Sequence, residues 1–292
     1  MWSSSVLMSR FITHISYKGD PLQPTLVLSD ETEYRPLGKI ITMDFDLSRR
    51  FCIGWHDMAT GENHPCPESA QTSKKYDACP ACQKRTGFNP AFYHSQTISA
   101  KQEARNAEPH HLYLAYMGKD YIKVGISWHG RGVRRLLDQG ARAGIILETF
   151  PTALIARQYE AKIARLPNFH ETTSTRTKLA LVTMPYSNAA AKAELLAAKQ
   201  QIEQELSIKF SNDEVLFFDT HYTASTISPV EITVPPTPKI SGKVEALIGD
   251  ILVTNYDGRC LALPLKQYTG YKVDIKDEIE PLDLDPQQLQ LF

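Results

Sequence analysis

The sequence predicts an α+β protein in three parts. These are an N-terminal β-rich zinc-binding module, a central α/β domain on a small antiparallel sheet, and a C-terminal small β-module with a flexible tail. Three observations predict it. Short runs near both ends alternate apolar and polar residues, as in Ile41-Thr42-Met43-Asp44-Phe45 and Val244-Glu245-Ala246-Leu247, which is the period of a half-buried strand. Four of the five cysteines fall within residues 52–82. In the middle, two apolar runs around Gly118-Lys119-Asp120 give way to helical spacing. The expected boundaries are 1–109, 110–210, 211–280 and 281–292.

Bulk properties limit what the chain can be. Its 292 residues, 42% of them hydrophobic, suffice for a sizeable core. A net charge of −1 excludes a molecule-wide electrostatic grip on nucleic acid, so any basic surface must be local. Residues 123–142 supply one, with Lys123, Arg131, Arg134, Arg135 and Arg142 against Asp138. No run reaches the ~18 apolar residues of a membrane span. The N-terminus lacks the charged and apolar regions of a secretory signal. Five cysteines, an odd number, suit a reducing compartment better than a disulfide scaffold. The expectation is a bacterial cytoplasmic protein with no membrane partner.

Residues 10–55 read as a small antiparallel sheet punctuated by Pro21, Pro24, Pro36 and Gly38. Next come Cys52, Cys66, Cys79 and Cys82. Cys79-Pro80-Ala81-Cys82 is a knuckle that presents two thiolates to one tetrahedral ion, so the four cysteines point to structural zinc. His56 or His64 can substitute for one of them. Two alternatives stand beside this. The thiols can be unligated, packed as small apolar groups. The pair can be redox-active, although the strand–CxxC–helix pattern of thioredoxin-like proteins is missing. A closed four-ligand site would serve folding rather than catalysis. Residues 83–109 read as a polar connector.

From residue 110 the pattern changes. His111-Leu112-Tyr113-Leu114-Ala115-Tyr116 and Tyr121-Ile122-Lys123-Val124-Gly125-Ile126-Ser127 read as a β-hairpin. Arg131-Gly132-Val133-Arg134-Arg135-Leu136-Leu137 reads as a basic helix start. A second helix is expected over 152–165, with Thr152 as N-cap and Pro167 as stop.

Strand, strand, basic helix, strand, helix with one glutamate resembles the GIY-YIG nuclease domain over residues 110–166. Leu112-Tyr113 stands at the end of that family's first motif, and Lys123-Val124-Gly125 stands where it has Tyr-Ile-Gly. Arg135 resembles the family arginine and Glu160 its metal-binding glutamate. The sequence departs from the pattern at His111, in place of a glycine, and at Lys123, in place of a tyrosine. The phrase Lys123-Val124-Gly125-Ile126 with Asp138-Gln139-Gly140-Ala141 also resembles an uncharacterised bacterial domain-of-unknown-function family (2797). That family joins a cysteine cluster to a GIY-YIG-like domain and carries no agreed activity.

The resemblance implies phosphodiester hydrolysis. Glu160 would hold Mg²⁺ or Mn²⁺ and leave several waters on the ion. Tyr113 would orient or deprotonate the attacking water. Arg135, with Arg131 or Arg134, would grip the phosphate as a bidentate fork. Lys123 would add a point charge, and Arg142 and Arg176 are further candidate nucleic-acid contacts. Plainer roles compete. Tyr113 can be a core aromatic with a satisfied hydroxyl, Glu160 a helix-face partner of Arg157 or Lys162, and Arg134-Arg135 ordinary surface charge.

Residues 187–209 read as a helix capped by Ser187 or Asn188, with Leu195, Leu196, Ala198, Ile202 and Leu206 at helical spacing. Pro229, Pro235, Pro236 and Pro238 suggest a semi-rigid linker over 226–239. Strands of a small barrel-type module follow to residue 275. The acidic tail should be disordered. Its last residues, Gln288-Leu289-Gln290-Leu291-Phe292, resemble the pentapeptide by which bacterial proteins dock on the DNA polymerase sliding clamp. Gln288 would bond at the pocket rim, with Leu289, Leu291 and Phe292 as apolar anchors. The competing expectation is a tail folded back on its own core.

The function expected from these residues is a metal-dependent endonuclease acting on DNA, with zinc in its scaffold and the sliding clamp as partner. The alternative is a non-catalytic, zinc-stabilised adaptor that binds DNA or tRNA. Glu160 discriminates between them: a nuclease needs this carboxylate exposed beside Tyr113 and Arg135, and the enzyme reading fails if Glu160 pairs with Arg157 or Lys162 away from Tyr113.

Overall fold

A computed structural model of the chain describes residues 10–89, 98–223 and 231–284. In chain order, β1 (Ile12–Lys18), β2 (Gln23–Leu28) and β3 (Glu33–Tyr34) form a three-stranded meander. The long β4 (Ile40–Phe51) leaves it. Short elements follow: β5 (Trp55–His56), β6 (Asn63–His64), β7 (Gln71–Thr72), α1 (Pro80–Thr86) and α2 (Ala100–Asn106).

The middle of the chain runs β8 (His110–Gly118), β9 (Tyr121–Trp128), α3 (Arg134–Gln139), β10 (Ala143–Phe150) and α4 (Ala153–Ile163). It continues with β11 (Phe169–His170), α5 (Thr175–Val182), α6 (Asn188–Leu206), β12 (Leu216–Phe217) and α7 (Asp219–Tyr222). Then come β13 (Ile232–Thr233), β14 (Lys239–Ile248), β15 (Ile251–Tyr256), β16 (Arg259–Pro264) and β17 (Tyr271–Lys276). The protein is α+β, and no helix among the described residues is long and apolar enough to cross a membrane.

The central sheet has the order β11-β9-β8-β10-β12. Both of its faces are covered, which is why β8 reads as an unbroken apolar run rather than an alternating one. Leu112, Leu114 and Tyr116 face one way and pack with Ile163 of α4 and Leu195 and Ile202 of α6. Tyr113, Ala115 and Met117 face the other way and pack with Leu136 and Leu137 of α3 and with Ile248, Ile251 and Val253 of the C-terminal strands. Each such large side chain, fully buried, contributes roughly 1.5–3 kcal/mol. The expected caps are present: Thr152 accepts from the Ile155 amide at 3.4 Å and Ser187 from the Ala190 amide at 3.2 Å.

Three sequence expectations change. The C-terminal strands are not a separate module. They form a seven-stranded sheet, β13-β16-β15-β14-β4-β17, with β7 paired onto the end of β4. β14 pairs with β4 from Lys239 opposite Asp44 to Lys243 opposite Ile40, and β17 pairs along the other edge, with Ile275 opposite Met43. An isolated β4 would offer two unpaired edges, and the C-terminal strands cover both. Part of the Pro-rich linker is built in as well, since Ile232 and Thr233 run parallel to β16. The start of the acidic tail is also held. Leu282 and Leu284 pack on the core shared by β4 and β14–β17, and the Leu282 amide donates to the Tyr256 hydroxyl at 3.1 Å. Residues 285–292, with the clamp-like pentapeptide, lie outside the described residues.

Candidate functional site

The chain builds two clusters of chemistry-bearing side chains. In the first, β4 delivers Cys52 directly at its end. Cys66 lies in the turn after β6. Cys79 is the N-cap of α1, with Pro80 in the first turn, and Cys82 follows one turn on, so both thiols face the same side. The loop before Cys79 is tied down by Arg50, which donates to the Lys74 and Tyr76 carbonyls and pairs with Asp77. Gly54 is required where the chain turns back. It has φ +96°, and a Cβ there would stand 1.9 Å from the His64 carbonyl oxygen.

All four Sγ atoms lie within 4.8 Å of one another, and those of Cys66 and Cys79 are 4.0 Å apart. Four ligands about 2.3 Å from one tetrahedral ion stand roughly 3.8 Å from each other. The four cysteines can therefore bind a metal such as zinc. Burial pushes the Cys52 thiol up, and the Cys79 and Gly54 amides, which donate to its sulfur at 3.1 Å and 3.4 Å, oppose the shift. The two histidines are engaged elsewhere. His56 Nδ1 lies 3.1 Å from Asn63 Oδ1, and His64 stacks on Trp55 with ring centroids 4.3 Å apart. Four convergent thiols also exceed what a redox pair needs.

The second cluster lies on the central sheet. Tyr113 of β8 stands opposite Gly125 of β9, and its ring crosses over that glycine. A Cβ at Gly125 would sit 2.3 Å from the Tyr113 hydroxyl, so this position needs the missing side chain. Gln139 donates to the Tyr113 hydroxyl at 2.6 Å and to the Arg135 carbonyl one turn earlier at 3.1 Å. Tyr113 is thus a buried aromatic with a satisfied hydroxyl. Burial pushes that hydroxyl up, and Arg135 beside it opposes the shift.

Lys123 stands opposite Ala115 and shares its face with Gly125. It is therefore a diagonal neighbour of Tyr113 across the hairpin. Its Nζ donates to the Glu171 carbonyl. Burial, then the charge of Arg135, lowers its pKa to about 8. Glu160 on α4 is buried rather than exposed as the nuclease expectation required, and it accepts from Arg157 at 2.5 Å, one turn earlier on the same helix. The same Arg157 nitrogen reaches Glu171 at 2.8 Å, so two carboxylates share one guanidinium. Burial pushes the Glu160 carboxyl up, against the pull of Arg157.

The fold thus gathers Tyr113, Arg135, Lys123 and Glu160 around the β8–β9 hairpin. It leaves other candidates apart. Arg142 is buried, with Nε 2.8 Å from Asp219, Nη1 donating to the Met184 carbonyl at 3.2 Å and its guanidinium 4.2 Å from the Tyr186 ring centroid. At 4% exposure and held by these partners, Arg142 is not presented at the surface to a polyanion. Arg131 pairs with Asp138, while Arg134 and Arg176 are exposed. Sequence reasoning missed Gln139 and Glu171. Gln139 follows Arg135 at i+4 on one helix face, a signal that was readable. Glu171 arrives only because β11 pairs parallel to β9, and nothing local announces that.

A family model described as a protein of unknown function, DUF2797, matches residues 38–273. No curated protein and no solved structure matches the chain.

Proposed function

We propose, from the premise that this chain belongs to the DUF2797 family, that it is a metal-dependent endonuclease that cuts DNA in the manner of the GIY-YIG domain it resembles. The observation that carries the proposal is the convergence of Arg135 from α3 and Glu160 from α4 on Tyr113 and Lys123 of the β8–β9 hairpin. Arg135 binds the scissile phosphate, with Arg131 and Arg134 on the approaching strand. Glu160, beside Glu171, holds Mg²⁺ or Mn²⁺ when Arg157 yields it, and such an ion keeps most of its waters. The ion supplies charge neutralisation and a more acidic water. Tyr113, fixed by Gln139, sets the position of Arg135. Zinc in the four-cysteine centre holds the scaffold and takes no part in the chemistry. In the same proposal Gln288, Leu289, Leu291 and Phe292 dock on the sliding clamp.

The test is cleavage of branched, single-stranded and duplex DNA, with tRNA as the RNA arm, in Mg²⁺ or Mn²⁺. The wild type cuts DNA, and Arg135→Ala and Glu160→Gln each slow cutting by about 10²–10³-fold. A second reading is favoured by the Arg157–Glu160 pair, which neutralises the carboxylate that a cation needs. In that reading the chain is a zinc-stabilised adaptor. Binding that Arg135→Ala weakens, without cutting in either metal, would establish the adaptor and overturn the nuclease.

A further inference from the structure

Two lysines in the central domain are removed from water in opposite ways. Lys199 is buried between Asp213 and Glu203, and its hydrogen bond to Asp213 holds its pKa up. Lys123 forms no ion pair among the described residues. Its amine donates to a backbone carbonyl, at Glu171, which carries no full negative charge to balance an ammonium. The positive charges of Arg135 and Lys178 lie in its field and disfavour a further positive charge, against the pull of Glu160 and Glu171. A lysine partly desolvated beside another cation is the arrangement by which an amine becomes a nucleophile toward carbonyl carbon. Around it stand a guanidinium suited to phosphate and the carboxylates of Glu160 and Glu171. Phosphodiester hydrolysis uses an amine only as a charge. A carbonyl substrate uses all three groups.

We propose that Lys123 forms an imine with the open-chain aldehyde of an abasic nucleotide in DNA and that the strand then breaks by β-elimination. This rests on the reading that the Arg135 face binds DNA. The neutral Nζ attacks C1′, and the carbinolamine takes up a proton from solvent as it loses water, giving a protonated imine. Glu160 takes a proton from C2′. The electron pair released forms the C2′–C3′ double bond, and the C3′–O bond breaks. The 3′-side strand departs with its phosphate, on which Arg135 balances the charge. Water hydrolyses the imine, which frees Lys123 and leaves an unsaturated aldehyde on the other strand end. No oxidant, reductant or divalent cation enters the balance. The lowered basicity of Lys123 supports the step, since a fall from the ordinary value to about 8 raises the neutral fraction near neutral pH by about three hundredfold.

The full chain is incubated with a duplex carrying one abasic site, in buffer without Mg²⁺ or Mn²⁺, and treated with sodium borohydride. The wild type gives a covalent protein–DNA adduct, and peptide mapping places it on Lys123. Lys123→Arg and Lys123→Gln, checked for folding by circular dichroism, give none. Glu160→Gln retains the adduct but breaks the strand about 10²-fold more slowly. Adduct yield climbs to about pH 8 and levels off, whereas an ordinary amine would keep gaining to about pH 10. An adduct mapped to another amine, or persisting in both Lys123 variants, overturns the proposal. So does the absence of adduct with Arg135-dependent binding retained, which leaves the DNA reading standing. Loss of both adduct and binding overturns the two together.

Discussion

Cys82→Ser is expected to abolish metal binding and to cost the protein several kcal/mol of stability. The wild type should carry about one zinc per chain, by mass spectrometry of the metal, and the variant almost none. The size of the effect follows from how little else holds this segment. β5 and β6 are two residues each, and among the described residues the apolar cluster of Cys52, Cys79 and Cys82 has only Trp55, Cys66, Ala70 and Ala78 packed around it. A module so poor in apolar contacts depends on its metal, and the binding free energy of the ion appears directly as folding free energy. The loss should also reach the central domain. Arg105 donates to the Met58 carbonyl at 2.7 Å from Nε and stacks at 3.4 Å over the Trp128 ring. Trp128 ends β9, just before the turn to Arg131 and α3. Limited proteolysis should therefore open cleavage within residues 52–86 first, and then near residue 130. A variant that keeps its metal and its melting temperature would show that the thiols are merely packed.

Arg142→Ala is expected to destabilise the fold by about 3–5 kcal/mol, the range for removing one member of a buried ion pair. The guanidinium joins three elements: Asp219 opens α7, the Met184 carbonyl follows α5, and Tyr186 precedes α6. Its own backbone carbonyl accepts from the Phe218 amide at 2.9 Å and the Tyr186 hydroxyl at 3.0 Å. Truncation leaves Asp219 without its partner and opens a void beside Tyr186. Arg142→Lys should recover only part of the loss, because an ammonium has neither the planar fork nor the stacking face. Urea unfolding measures the cost, and DNA affinity below the transition should be unchanged. Weakened DNA binding with stability intact would return Arg142 to the nucleic-acid face.

What the sequence made legible was local. Thr152 and Ser187 are side-chain caps, and their helices begin where those residues stand. The hairpin followed from two apolar runs and a polar turn, and the cysteine group from spacing alone. What escaped was partner choice between distant segments. The alternation in β4 shows that Ile41, Met43 and Phe45 share a face, but no periodicity says that β14 and β17 will flank it. The charge of Arg142 looked like its neighbours' charge, since a sequence does not show that the bend leading into β10 carries this residue into the interior. Glu171 depends on the same kind of non-local pairing. Lys123 is the instructive position. The resemblance marked it as a departure from a tyrosine, and only its surroundings show an amine without a carboxylate partner.

The proposed grip of the Arg134–Arg135 face on nucleic-acid phosphate can be read by fluorescence anisotropy of labelled duplex and single-stranded DNA with the wild type and with Arg134→Ala/Arg135→Ala, across a salt series. Wild-type affinity should fall with salt. The double variant should lose tenfold or more (about 1.4 kcal/mol) and show a salt slope smaller by about 1–2. Equal affinity and equal slope in the two proteins would contradict that grip.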